Sequence, residues 1–529
     1  MQIIDDTAVQ LMLPASIADT ATTNLSMCEV VEDTGRDKKL VVYFDHEHMT
    51  RLATIIDGAS PNPALTAHVP SPMRRDYNYP GIFSPYDHQK TTAEFLSLRR
   101  RAFCFNEAGT GKTSAAIWAA DYLMNLGLIR RVLVICPVSI MYSAWQKDIF
   151  KTAMHRTCGV AYSKDAAKRR KIFEEGYDFT VINYDGISVI HDAVQSAQFD
   201  LIIVDEANAY KNSSTKRWKM LAKIIAPSTG VWMMTGTPAS QSPIDAFGLA
   251  RMISPVRVPR FTTAWRDKVM HQISRFKWVP KRTAKDDVYY ALQPAIRFTK
   301  KECLDLPPVI IQTRDVVMSP QALKYYRTLK NQLLIEAAGE QVSAINAAVS
   351  LNKLLQISGG AVYTDNQLII EFDISPRLSV LKEVVDETSN KVVVFVPFTH
   401  TIDVVQRYLT ENRITSEVIN GSVSAKERSA IIARFQDTVD PRVLIIQPQA
   451  AAHGITLTAA DTVVFWSPVL SVDTYLQCIA RIDRIGQKNA MTVVNLQGSD
   501  VERKMYTNMH KLVSDHQQLV DLYKQVLED

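Results

Sequence analysis

Short hydrophobic runs recur through the middle of the chain, each closed by a turn or a polar cluster: RAFCF (101–105), RVLVIC (131–136), FTVINY (179–184), FDLIIVDE (199–206) and VWMMTGT (231–237). Stretches with helical spacing separate them, so the pattern predicts βαβ units and a parallel sheet. A second series follows after about residue 376: KVVVFVPF, SEVING, PRVLIIQ, DTVVFW and MTVVNL. Two α/β lobes are expected. Between them, LPPVIIQTRDVVM gives one strand-like run, and Ser319-Pro320 then opens a long helical stretch. Residues 1–80 are irregular in pattern, with a strand at Leu40 to Phe44, a helix through Leu52 to Ile56 and a stretch bearing Pro61, Pro63, Pro70 and Pro72. The tail 499–529 places Val501, Met505, Met509, Leu512, Leu519, Leu522 and Val526 at roughly helical spacing. The expected organisation is an accessory domain and linker (1–80), a first lobe (81–305), a helical inter-lobe segment (306–375) and a second lobe with a C-terminal helix (376–529).

A length of 529 residues calls for three or four domain-sized units, and 47% hydrophobic with 22% charged residues is the composition of a folded protein. The net charge of +5 is too small for nucleic-acid binding by bulk charge, so its distribution matters. Residues 1–60 hold ten acids and four bases, whereas 251–301 hold thirteen bases and three acids. The six cysteines are scattered without disulfide or zinc spacing, which fits a reducing compartment. The acidic start MQIIDDTAVQ lacks the basic region of a secretory signal, and no run reaches the ~18–20 apolar residues of a membrane span. A soluble protein without membrane partners is expected.

Chemistry enters at Asn106-Glu107-Ala108-Gly109-Thr110-Gly111-Lys112-Thr113, a Gly-containing turn between a strand and a helix start. Backbone N–H groups of such a turn wrap phosphate oxygens, Lys112 reaches the β- and γ-phosphates, and the Thr113 hydroxyl binds Mg²⁺. The strict pattern has Gly where Asn106 stands. Asp205 and Glu206 close an apolar strand further on; Asp205 is assigned to the Mg²⁺ shell and Glu206 to the attacking water. An isolated Asp-Glu pair can simply cap a helix, but beside a phosphate loop the catalytic reading dominates. In the second lobe, Arg481 and Arg484 stand three apart in RIDRIGQ, suited to stabilising charge on a transferring phosphoryl group.

Here the chain resembles the Swi/Snf-type (sucrose non-fermenting) family of superfamily 2 helicase-like ATPases, in order from about Tyr86 to about Leu496. Tyr86-Asp87-His88-Gln89 is similar to the adenine-reading glutamine element, and Asn106 to Thr113 to motif I. Val134 to Ser139 with Trp145 resembles motif Ia, DEANAYKN (205–212) the DEAH-x-x-KN box, and TGTPASQSPID (235–245) motif III. Leu306-Pro307-Pro308, Leu351 to Gly359, Val394 to Thr399, HGITLTAADTVVFW (453–466) and RIDRIGQ (481–487) match later landmarks. The resemblance implies two RecA-like parallel-sheet lobes that close on ATP and Mg²⁺. It assigns Gln89, Gly109, Thr110, Gly111, Lys112 and Thr113 to ATP, Thr113 and Asp205 to the metal, and Lys112, Glu206, Arg481 and Arg484 to catalysis. Arg484 is expected to be the principal finger. Thr235, Gly236, Thr237, Gly454 and Gln477 would couple the lobes. Asn208 stands where the family has His, as does Asp483 in RIDR, which bears on coupling rather than hydrolysis; Ala452 for Gly is minor.

Basic residues of 251–301 alternate with Trp265, Phe276, Trp278, Tyr289 and Tyr290. This stretch reads as a phosphate-tracking surface, with Lys281 and Arg282 as its test positions, or as a solvated face over core aromatics. The resemblance adds Ser139, Asn183, Tyr184 and Thr456 as backbone contacts, although Ser and Thr at strand ends also cap helices. The expected function is an ATP-dependent translocase on duplex or branched DNA, with RNA also possible as the track. It would remodel forks, recombination intermediates or bound proteins in the cytoplasm of a prokaryotic or phage-infected cell. Alternatives are an ATP-gated DNA clamp with slow hydrolysis and a strand-separating helicase. The acidic N-terminal domain is a candidate docking point for a protein partner, or a stabilising cap.

Overall fold

Runs of four to seven β-branched and aromatic residues are long enough to cross a buried sheet and too short for a stable helix. In the computed structural model, which describes residues 2–4, 6–59, 69–239, 242–274, 277–339, 344–363, 369–451 and 455–513, both series become parallel sheets. The first has seven strands in the order Ala295–Ile296, Arg101–Cys104, Gly230–Met234, Leu201–Asp205, Val132–Cys136, Phe179–Asn183 and Cys158–Val160. Met234 is in register with Cys104 on one side and with Asp205 on the other. Three strands therefore end level, and the loops after them leave from one edge of the sheet. Apolar clusters cover both faces, with Trp118, Trp145, Trp232 and Trp265 fully buried.

The second sheet runs Val309–Asp315, Met491–Gln497, Ala460–Phe465, Lys391–Phe395, Val443–Ile446 and Ser416–Ile419, all parallel. Its edge strand Val309–Asp315 comes from the stretch that the sequence reading set between the lobes. It pairs over its whole length with Met491–Gln497, a partner some 180 positions away that no local pattern announces. The helix Pro320–Gly339 begins at the Ser319-Pro320 signal. Residues 500–513 are helical, with Tyr506 and Met509 in the core; Leu519, Leu522 and Val526 lie outside the described residues.

By compactness the described chain divides into two units, Met1–Cys303 and Leu304–Ser514. The first unit includes an antiparallel sheet in the order Gln2–Ile4, Ala8–Pro14, Asp37–Tyr43, Cys28–Asp33, covered by the helices Ala15–Asn24 and His46–Ala59. Val9, Leu11, Leu13, Leu40 and Val42 alternate into its core. Only the third strand and part of the second helix were legible in the sequence. Met12 on the outer face and the acids of the edge strand Cys28–Asp33 obscure the period-two pattern of the others.

Candidate nucleotide site

The strand Arg101–Cys104 leads through the Gly-containing turn into the helix Lys112–Asn125. Gly109 (φ 91°) and Gly111 (φ 81°) adopt the left-handed conformation that lets successive N–H groups converge on an anion. At Gly111 a side chain would be strained by the positive φ and would displace the Gln89 amide, whose Nε2 stands 1.9 Å from where a Cβ would lie. Gln89 itself accepts from the Tyr86 N–H at 3.0 Å and donates to the Thr110 carbonyl at 3.2 Å, and His88 Nε2 lies 2.7 Å from that carbonyl. The helix Asp87–Ser97 thus braces the loop from behind.

Asn106, the departure from the strict pattern, has a structural reason. Its buried amide donates to Thr92 Oγ1 at 2.8 Å and accepts from the Phe298 N–H at 3.0 Å, fastening the loop to the Asp87–Ser97 helix and to the segment after the edge strand Ala295–Ile296. Glu107 extends the same anchor, accepting from the Lys300 N–H at 2.9 Å. Arg297 donates to the Phe105 carbonyl at 3.1 Å. Sequence reasoning missed Arg297 and Phe298, which lie nearly 200 positions from the loop they support.

Asp205 ends the central strand Leu201–Asp205 and is almost fully buried. Its Oδ2 accepts from the indole N–H of fully buried Trp145 at 3.0 Å and its Oδ1 from the Glu206 N–H at 3.0 Å. Burial pushes this carboxyl up, while the charge of Lys112 pulls it down. Lys112 itself makes no ion pair among the described residues. A buried carboxylate and a buried ammonium, neither neutralised by direct contact, beside a glycine turn of converging N–H groups fit a magnesium-bound triphosphate. Thr113 and Asp205 would hold the metal, and Lys112 the phosphates. Glu206 has φ 49° and ψ 53°, a left-handed conformation that costs a non-glycine residue free energy and that marks functional turns. Tyr184 holds this turn, its hydroxyl donating to the Asp205 carbonyl at 2.7 Å and to the Glu206 carbonyl at 3.2 Å. Tyr184, one of the residues expected beside a nucleic-acid backbone, gives its hydroxyl proton to these carbonyls.

Asn208 donates to the Thr237 carbonyl at 2.7 Å and to Thr237 Oγ1 at 3.0 Å, while the Thr237 N–H donates to Thr235 Oγ1 at 3.3 Å and the Thr235 N–H to the Cys104 carbonyl at 3.0 Å. The acidic box, the Thr235-Gly236-Thr237 turn and the strand before the phosphate loop are therefore joined in series. A Cβ on Gly236 would stand 3.3 Å from the Ala108 nitrogen, so the turn lies directly against the phosphate loop.

In the second unit the helix Val472–Ile479 delivers Arg481 and Arg484. Arg481, largely buried, donates to the Gln477 carbonyl at 3.0 Å, and its own carbonyl accepts from the Leu457 N–H at 2.8 Å. Arg484 donates to the Ile455 carbonyl at 3.2 Å, and Gln487 to the Ala460 carbonyl at 2.8 Å. Both arginines are thus seated on the segment 455–460, which carries half-buried Thr456. Gly454, His453 and Ala452 lie outside the described residues.

Many cations of 251–301 are engaged within the protein. Arg257 donates to the Asp57 and Tyr290 carbonyls, Lys268 pairs with Asp287 at 2.9 Å, Arg266 pairs with Asp267 and lies 4.2 Å from the Trp278 ring centre, and Lys281 donates to the Asp267 carbonyl at 2.6 Å. Trp265 and Tyr289 belong to the core. Arg282 is exposed and unpaired among the described residues, Ser139 and Asn183 are half-buried, and Arg275 and Phe276 lie outside the described set.

Two parallel α/β sheets, one carrying a phosphate loop with an Asp-Glu strand end in register beside it, define a helicase-like P-loop ATPase. The SNF2-related domain family matches residues 88–359 and the helicase conserved C-terminal domain matches residues 376–486. The chain belongs to the SNF2-related family of ATP-hydrolysing, helicase-like enzymes. It is 26% identical over 426 residues to the chromodomain-helicase-DNA-binding protein 1-like of Mus musculus, covering 76% of this chain and 46% of that protein. It is 25% identical over 488 residues to the CHD3-type chromatin-remodeling factor PICKLE of Arabidopsis thaliana, with 82% and 34% covered. Putative protein p41 of Acyrthosiphon pisum secondary endosymbiont phage 1 is 25% identical over 428 residues, with 77% and 90% covered. The chain therefore spans less than half the length of the animal and plant relatives and most of the phage one. A solved structure, the Sulfolobus solfataricus SWI2/SNF2 ATPase core in complex with dsDNA, aligns at 21% identity and a TM-score of 0.41, covering 81% of this chain and 91% of that one. No helix among the described residues is long and apolar enough to cross a membrane.

Proposed function

We propose that this protein is an ATP-driven translocase on duplex DNA that remodels forks, recombination intermediates or DNA-bound proteins. The observation that carries it is the level row of Cys104, Met234 and Asp205, which brings the phosphate loop, the Thr235 turn and the Asp-Glu pair to one sheet edge. Mg²⁺, when bound, neutralises charge developing between the β- and γ-phosphates. Lys112 and the loop N–H groups hold the triphosphate, and Glu206 orients water and accepts its proton. Arg484, with Arg481, supplies positive charge to the transferring group. The bond from Asn208 to Thr237 gives the acidic box a mechanical link where the family has His, so the change of residue is no argument for lost coupling. A prokaryotic or phage-infected cytoplasm is supported by the phage relative, and DNA as the track by the chromodomain-helicase-DNA-binding and chromatin-remodeling relatives.

The test is ATP turnover measured with single-stranded, duplex, forked and four-way DNA and with RNA. Turnover should rise with duplex length and level off, and Lys112→Ala or Glu206→Gln should reduce it by at least about a hundredfold. Length-independent turnover would point to a clamp, strand displacement on a fork to a helicase, and absence of hydrolysis on every nucleic acid would overturn the motor.

A further inference from the structure

The segment after the edge strand Ala295–Ile296 runs beside the phosphate loop and continues its pairing. The Phe103, Phe105 and Glu107 N–H groups donate in turn to the Pro294, Ile296 and Phe298 carbonyls at 2.9, 2.8 and 3.0 Å. Arg297 stands within this stretch, and its side chain is only 4% exposed. Its Nη1 donates to the Phe105 carbonyl at 3.1 Å and to the Gly236 carbonyl at 3.4 Å, and its Nη2 lies 3.6 Å from Glu107 Oε1. In the sheet the strand Arg101–Cys104 lies between Ala295–Ile296 and Gly230–Met234. The guanidinium therefore starts beyond one flanking strand, crosses the end of the middle one and reaches the turn that follows the other.

Burying a cation is costly unless its donors are taken up, and here they go to main-chain carbonyls on two chain segments and to a carboxylate of the loop. A guanidinium suits this task because its donors are fixed in one plane, whereas the ammonium of lysine is a compact point charge on a flexible stem. The turn that Arg297 reaches is held from its other side by Asn208, which donates to the Thr237 carbonyl at 2.7 Å and to Thr237 Oγ1 at 3.0 Å. A Cβ on Gly236 would stand 3.3 Å from the Ala108 nitrogen, so turn and loop are in close contact where Arg297 joins them. Asn208 thus fastens the turn to the acidic box, and Arg297 fastens it to the phosphate loop.

We propose that Arg297 is a positioning residue for ATP hydrolysis. It holds the Thr235-Gly236-Thr237 turn against the phosphate loop, so that a triphosphate seated on the loop sets the turn and, through Asn208, the Asp205-Glu206 pair. The inference rests on the reading of the loop as the nucleotide site. In this role Arg297 touches no reacting atom and acts through the Phe105 and Gly236 carbonyls.

Hydrogen exchange and steady-state turnover on the full chain test it, with Arg297→Met, Arg297→Lys, Asn208→Ala and the Arg297→Met, Asn208→Ala double variant. In the parent, Mg²⁺ with a non-hydrolysable ATP analogue should slow amide exchange both in the loop and in residues 235–237. In Arg297→Met the protection should stay on the loop and leave the turn at its unliganded rate, a readout that needs no hydrolysis. With duplex DNA, kcat should fall about tenfold, the size of one hydrogen bond to a charged group, while KM for ATP stays within about twofold. Arg297→Lys keeps a charge beside Glu107 and should restore neither kcat nor the protection; it carries the same comparison if Arg297→Met does not fold. The double variant should lose little more than the larger single loss, because both residues hold one turn. A role confined to stability would lower the first unit's urea midpoint and leave kcat and turn protection as in the parent. That result, a parent turn that gains no protection, full rescue by lysine, or losses that multiply in the double variant would each overturn the proposal. A parent that protects the turn on binding the analogue, yet shows no turnover that depends on DNA, would refute the motor and leave this fastening standing.

Discussion

The Trp145 indole and the Asp205 carboxylate show how a single buried donor can set the behaviour of a carboxylate proposed to hold a metal. Each carboxylate oxygen receives one N–H, from Trp145 and from Glu206, which fixes the plane of the group while leaving lone pairs for a cation. Trp145→Phe keeps the aromatic packing and removes the donor. The Mg²⁺ concentration for half-maximal ATP turnover should then rise by about tenfold, the low end of what loss of an orienting partner costs a metal ligand. Turnover at saturating Mg²⁺ should stay close to the parent value; an unchanged Mg²⁺ dependence would show that the indole only packs. Asn208 acts differently, because its partner is a backbone turn. Asn208→Ala leaves Thr237 without its amide donor, so DNA stimulation of turnover should fall while turnover without DNA changes little. Comparing the two rates side by side tests that split. Lys112, Asp205 and Glu206 were legible in the sequence because a glycine turn and a strand end are local features. The partnership of Trp145 with Asp205 was not, since the sequence tied Trp145 only to a motif 60 positions before its acceptor.

At the scale of elements, the phosphate loop is held by neighbours on either side. Asn106 replaces a glycine that would leave the loop freer, and it gives the Phe298 N–H and the Thr92 hydroxyl buried partners. Asn106→Gly should therefore destabilise the first unit by roughly 2–4 kcal/mol, since the orphaned Phe298 N–H costs about 1–3 kcal/mol and glycine adds roughly 0.5–1 kcal/mol of backbone entropy in the unfolded chain, whereas Thr92 keeps its bond to the His88 carbonyl. Urea unfolding followed by far-UV circular dichroism measures this; a loss below about 0.5 kcal/mol would mean the two bonds contribute little. The strands of both sheets were legible for the same reason the loop was: each carries its own apolar run between turn signals. The order of strands in the sheet was not, because Gly230–Met234 inserts between Arg101–Cys104 and Leu201–Asp205 through contacts that no run encodes. The basic stretch shows the limit of charge counting. Its excess of cations was plain, but the carbonyls, carboxylates and aromatic rings that engage Arg257, Arg266, Lys268 and Lys281 appear only once the chain is folded.

Each of the two units has its own apolar clusters on both faces of its own sheet, so the whole molecule should unfold in two steps rather than one. A buried ion pair distinguishes the steps. Arg377 and Glu502 are almost fully buried, and the Arg377 Nη2 lies 2.9 and 2.8 Å from the two Glu502 oxygens; Arg377 also donates to the Trp466 carbonyl at 2.7 Å. This ties the helix Ser375–Glu387 to residues 500–513, inside the second unit. Glu502→Gln leaves the guanidinium without its counter-charge and should lower the second unit's transition by about 3–5 kcal/mol. Replacing both partners by apolar residues often restores such a loss, but not here. Glu502 also accepts from the Gly498 N–H at 2.6 Å and the Ser499 N–H at 3.0 Å, so an Arg377→Met, Glu502→Leu double variant orphans two buried donors and should remain destabilised. Mg·ADP should act on the other step. On the proposed reading it binds through the phosphate loop, so at a hundredfold excess over its dissociation constant it should raise the first unit's transition by about 2.7 kcal/mol in the parent and leave it unmoved in Lys112→Ala. Differential scanning calorimetry of the parent, Glu502→Gln and Lys112→Ala, each with and without Mg·ADP, separates the two responses. A single transition that shifts as a whole under both perturbations would show that the two cores unfold as one cooperative body.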